Sequence, residues 1–219
     1  STSAPPSMGM VRDDIITPET LQLTQDLLRK LEGFDETPRL GKDEAHRTIG
    51  RGHFLDGGAT SRAAWRRAFG DTLNYDSFRT GTPKNNVMTE KQAELLFAED
   101  IKEKTKFAQL VTENEFKTVR KNGKKTRPKG KPLNGLKFKE LSPNLQAHII
   151  SATFRGDWVL SPTTRRLVSE GKFRAAAKEY LIFDEYIKAD PDHPEYNGRP
   201  GIRPRMEAVR DAILAEELY

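Results

Sequence analysis

The chain has 219 residues, with 35% apolar and 32% charged side chains, no cysteine and a net charge of +5. Its length suits one domain with a real core, and a mean hydropathy of −0.73 fits a wet surface rather than a disordered chain. Disulfides are excluded, no apolar run reaches the roughly 20 residues of a membrane helix, and a pI near 9.3 favours an acidic partner.

Residues 1–14 start small and polar, without the apolar stretch of a secretory leader, and are expected to form a flexible arm. Residues 15–219 are expected to form one domain in two lobes. Thr17-Pro18, Ser142-Pro143 and Ser161-Pro162 each set a hydroxyl before a proline, the pattern of a helix N-cap followed by its first turn. From Pro18, Leu23, Leu27 and Leu31 recur at helical spacing, and Glu32 follows at the helix end. Residues 38–60 carry alternating residues and glycines, which predict a small antiparallel meander. Thr89 and Gln92 form a capping-box pattern ahead of Ala93, Leu96, Phe97 and Ile101 on one helix face. Further helices are predicted at about 143–153, 162–170, 172–183 and 204–217. The layout is α+β, with a small sheet-bearing N-terminal lobe and a larger all-helical C-terminal lobe joined by a long helix.

Residues 117–139 hold ten lysines and arginines and no acid. Asn122-Gly123 in their midst is a hairpin-turn signal. The run reads either as a solvated inserted loop between helices and nothing more, or as an electrostatic foot on anionic cell-envelope polymers. Phe138 is its only aromatic side chain, which disfavours single-stranded nucleic acid as the partner.

Chemistry concentrates in residues 32–53: Glu32-Gly33-Phe34, then Lys42-Asp43-Glu44, then Thr48-Ile49-Gly50-Arg51-Gly52-His53. Two carboxyls from different elements are what glycosidic cleavage needs. One is protonated and donates to the leaving oxygen; the other is ionised and activates water. A threonine hydroxyl can donate to a carboxylate and accept from water, so Thr48 suits the task of placing the nucleophile. His53 has no second ligand nearby and suits loop ordering better than metal binding. No metal or cofactor is implied.

These residues resemble the phage-type lysozymes, the endolysin family of glycoside hydrolases typified by the lysozyme of T-even bacteriophages. The first block carries Glu-Gly, Lys-Asp and Thr-Ile-Gly-x-Gly-His elements in the family's order. Three weaker blocks follow in order: Met88 to Asp100, Leu145 to Phe173, and Gly201-Ile202-Arg203-Pro204-Arg205-Met206-Glu207. The resemblance implies a lysozyme-like fold and a muramidase that cleaves the β-1,4 bond between N-acetylmuramic acid and N-acetylglucosamine with inversion. Glu32 would be the general acid, with Asp43 and Thr48 holding the water. The Asp43 spacing departs from the family pattern on both sides, which leaves Glu44 open as the second carboxylate. His53, Phe154, Arg155 and Arg205 fall at substrate-side positions, and Arg205 matches an arginine that pairs with the acid. Arg155 stands where relatives carry an amide, and Trp158 and Tyr196 are open as either sugar platforms or packing residues. The rival readings are a lytic transglycosylase on the same fold, an inactive peptidoglycan-binding virion component, and a nucleic-acid-binding protein. A monomer is expected, held in the host cytoplasm until release to the wall or carried in the virion.

Overall fold

The computed structural model describes residues 16–41, 46–116, 119–126 and 128–219; the arm 1–14 lies outside them. The described residues form an α+β fold, and three of the four local helix-start signals appear as hydrogen bonds. The Thr17 hydroxyl accepts from the Thr20 amide at 3.2 Å and opens α1 (Pro18–Leu31). Thr89 and Gln92 bond reciprocally, 2.9 and 3.1 Å, and open α4 (Glu90–Glu113). Ser142 accepts from the Leu145 amide and opens α5 (Pro143–Arg155). Ser161 departs from the pattern. Its hydroxyl donates to the Asp157 carbonyl instead, so α6 (Pro162–Ser169) starts on its proline alone.

The chain divides into two compact units: residues 24–103, and residues 104–219 together with the segment up to Leu23. The first unit holds a three-stranded antiparallel sheet of β1 (Asp35–Leu40), β2 (Arg47–Gly50) and β3 (His53–Phe54), in the order β1-β2-β3. The predicted meander therefore ends at Phe54, not at 60. Residues 58–69 instead form α2 (Gly58–Phe69), followed by α3 (Tyr75–Thr80), two helices the sequence pattern did not predict. They supply the core of this unit. Trp65 is fully buried and packs edge-on against Phe69 and Tyr75, with ring centroids 5.0 and 5.5 Å away, while its indole nitrogen donates to the Leu73 carbonyl. Ile49, Leu55, Phe78, Met88 and Leu96 complete the cluster.

In the second unit α9 (Ile202–Ala215) packs on α5 and on α7 (Phe173–Tyr180), and α7 packs on α6. The short α8 (Asp184–Ile187) precedes α9. Trp158 is fully buried and donates to the Thr112 hydroxyl, which makes it a packing residue and not a sugar platform. Arg165 is also buried. Its guanidinium donates to the carbonyls of Val111, Trp158 and Val159, capping the end of α4, and burial pulls its pKa down to about 10.

This unit is not all-helical. After α4 the chain forms β4 (Asn114–Phe116), β5 (Val119–Lys121), β6 (Lys124–Thr126) and β7 (Lys129–Pro132), with β4 paired to β7 and β5 to β6. The predicted solvated loop is thus a ribbon of two antiparallel ladders. Its turn is the expected Asn122-Gly123, at φ 52° and 76°, the double positive φ that a two-residue hairpin of right-handed twist demands.

Candidate active site

Glu32 is the first residue past α1, and its amide still bonds back to the Leu28 carbonyl. Leu28 is fully buried and Glu32 half-buried, so the helix anchors in the core and hands its last carboxyl to the edge. Across from it lies the turn of the β2–β3 hairpin. A side chain added at Gly52 would bring its Cβ to 3.6 Å from Glu32 Oε2, and Gly52 has φ +89°. The helix-end carboxyl therefore sits against bare backbone at the tip of the hairpin that carries Thr48 and His53.

The two glycines do different work. Gly50 has φ +65°, and a Cβ there would meet the Ala93 Cβ at 3.3 Å, so it lets the hairpin close onto α4. Gly52 bends the turn and keeps the space beside Glu32 open.

Three acids of α4 hold this hairpin. Arg51, in the turn, is buried, and its guanidinium bonds Glu94 at 2.5 Å and Glu90 at 3.0 Å. Glu94 also takes a two-pronged contact from Arg29 of α1, at 3.1 and 3.0 Å. The Arg29 hydrogen bonds, with those of Arg51 behind them and burial opposing, hold the Glu94 carboxyl below the ordinary glutamate range. One acid thus ties the helix that ends at Glu32 to the turn that faces it. The third acid is Asp100, 2.9 Å from His53 Nδ1, while Ser61 lies 2.8 Å from Nε2. A carboxylate accepts, so Nδ1 donates to Asp100, and Nε2 hydrogen-bonds the Ser61 hydroxyl. The Tyr75 hydroxyl reaches Ser61 Oγ and the Leu55 carbonyl. His53 is buried with both ring nitrogens engaged, and so orders the loop.

Thr48 lies on the central strand, paired across to Arg39 and Phe54. Its neighbour Ile49 points into the core with no exposure, so alternation turns the half-buried Thr48 to the other face. Asp43 and Glu44 lie outside the described residues, in the segment 42–45 between β1 and β2; just before and after it, the Gly41 amide bonds the His46 carbonyl at 2.8 Å.

Phe154, Arg155 and Arg205 belong to the other unit. The Lys104 ammonium lies 5.6 Å from the Phe154 ring centre. Arg155 is engaged within its own unit, bonding the buried Asp157 at 2.8 Å with Glu185 at 3.8 Å. Burial pushes the Asp157 carboxyl up, with Arg155 opposing. Arg205 sits half-buried near the start of α9 and adds a weaker opposing field at Asp157.

The chain matches no protein-family model and no curated protein sequence. The lysozyme resemblance accordingly rests on the ordered sequence motifs. Among the described residues no cluster of three or more histidines, aspartates or glutamates could hold a metal, and no described helix is long and apolar enough to cross a membrane.

Motif spacing singled out Glu32, Thr48 and His53 but not Arg29, Ser61, Glu90, Glu94 or Asp100. The one signal for these was the carboxylates at 90 and 94 on one face of α4, and spacing cannot name their partners.

Proposed function

We propose that the chain is a peptidoglycan hydrolase, a muramidase of the phage-lysozyme type. The observation that carries this reading is the Glu32 carboxyl held against the Gly52 turn of the Thr48–His53 hairpin. Glu32 delivers its proton to the glycosidic oxygen as the bond to C1 of N-acetylmuramic acid breaks. A water oriented by Thr48 attacks C1 from the opposite face and passes its proton to the ionised Asp43, so the product is a reducing end of inverted configuration. Glu94, Asp100 and Arg51 never touch the sugar. They hold the hairpin in register with the helix end, and small misplacements of a proton donor are costly.

Digestion of purified peptidoglycan followed by mass spectrometry tests the reaction. Reducing N-acetylmuramic acid ends are expected. Anhydro ends would assign a lytic transglycosylase and take the water-placing role from Thr48. No product, in sacculi that a control lysozyme digests, would mean that the fold is kept for binding. The same assay on Asp43→Asn and Glu44→Gln assigns the second carboxylate, with the larger loss expected at Asp43.

A further inference from the structure

The ribbon after α4 carries its charge in a costly arrangement. Its register sets Arg120 opposite Lys125 and Lys121 opposite Lys124. Like charges facing across a ladder push the strands apart, because directly opposed Cβ atoms lie only about 4.5–5.5 Å from each other. On β7, Lys129 and Lys131 are exposed and two residues apart, so they share a face about 6.6 Å from one another. Elsewhere several arginines are answered by acids: Arg51 by Glu90 and Glu94, Arg62 by Asp76, Arg155 by Asp157, Arg166 by Glu170. Among the described residues no carboxylate pairs with Arg120, Lys121, Lys124, Lys129 or Lys131.

We propose that this ribbon binds a flexible phosphodiester polymer of the bacterial envelope, of the poly(glycerol phosphate) kind; the inference rests on the hydrolase reading for where the polymer is met. A linear chain with one charge per repeat can thread along cations at strand spacing, and its phosphates relieve the repulsion between the facing lysines. The other side chains of β5, β6 and their turn are Val119, Asn122 and Thr126, with Gly123. None offers a ring for a base to stack on, which disfavours single-stranded nucleic acid. The tip is Asn122-Gly123, without the large apolar side chains that anchor a segment in a lipid interface.

The test is a titration of fluorescently labelled poly(glycerol phosphate) with the full chain at increasing salt, read by anisotropy. Wild type is expected to bind with an affinity that falls linearly in log–log form. Lys121→Ser with Lys124→Ser, and separately Lys129→Ser with Lys131→Ser, should each reduce that slope by about 1.4 and weaken low-salt binding about tenfold. The corresponding arginine pairs should bind like wild type, and all variants should still turn over short soluble glycan. An unchanged slope in both serine pairs would overturn the proposal. So would tighter binding of an oligothymidylate, or of phosphatidylglycerol vesicles, than of the polymer at equal phosphate. Glu32→Gln should leave this binding intact, so failed wall cleavage with retained polymer binding counts against the hydrolase reading alone.

Discussion

Two hairpins in this chain use the same backbone device to opposite ends. The one that joins β2 to β3 turns through Gly50-Arg51-Gly52, and the one that joins β5 to β6 turns through Asn122-Gly123; both depend on positive φ. In the first the cation at the turn is buried and answered by two glutamates of α4. In the second, lysines face each other in the open with no acid answering them among the described residues. A compensated turn fixes a geometry and suits a reacting site. An uncompensated one carries a repulsion that an anionic partner would relieve.

The comparison breaks most sharply at the buried cation. Arg51→Met removes the charge-assisted hydrogen bonds to exposed Glu90 and to Glu94, which keeps Arg29, and should cost about 2 kcal/mol in denaturant unfolding. Gly52→Ala forces an alanine to φ +89° and sets its methyl carbon 3.6 Å from the Glu32 carboxyl. It should cost about 1–2 kcal/mol and lower kcat more than it raises KM. Glu94→Gln sharpens the electrostatic half of the contrast. Because the folded-state pKa of Glu94 is lowered, its contribution is present above the ordinary glutamate pKa and is lost as pH falls through the lowered one. Wild type should therefore melt higher than Glu94→Gln at neutral pH, with the two curves converging on acidification. The smallest effect has the opposite sign: Lys121→Ser with Lys124→Ser should stabilise the chain by about 0.5 kcal/mol, by removing a like-charge pair.

What the sequence revealed follows from how local each signal is. Thr89 with Gln92, Ser142 with Leu145, and the Asn122-Gly123 turn each close within three residues, and all are present as hydrogen bonds or backbone angles. The helix α2 was missed because Gly57 offers no capping side chain and its buried face is the sparse set Ser61, Ala64, Trp65 and Phe69 among arginines. Ser161 misled because its hydroxyl found the Asp157 carbonyl four residues back. Glu32, Thr48 and His53 were legible as a motif. Their restraints were not, since Asp100 lies 47 residues from His53 and Glu94 lies 65 from Arg29. The tie between Arg155 and Asp157 was not legible, because the sequence alone does not show that Asp157 is buried.

The most direct test of the account is the initial rate of glycan release from purified peptidoglycan by wild type and by Glu32→Gln, with unfolding curves measured alongside. The amide keeps the shape of the side chain and removes its proton, so the rate should fall about 10²–10⁴-fold while stability changes little. A Glu32→Gln protein that releases glycan at the wild-type rate would contradict the assignment of Glu32 as the proton donor.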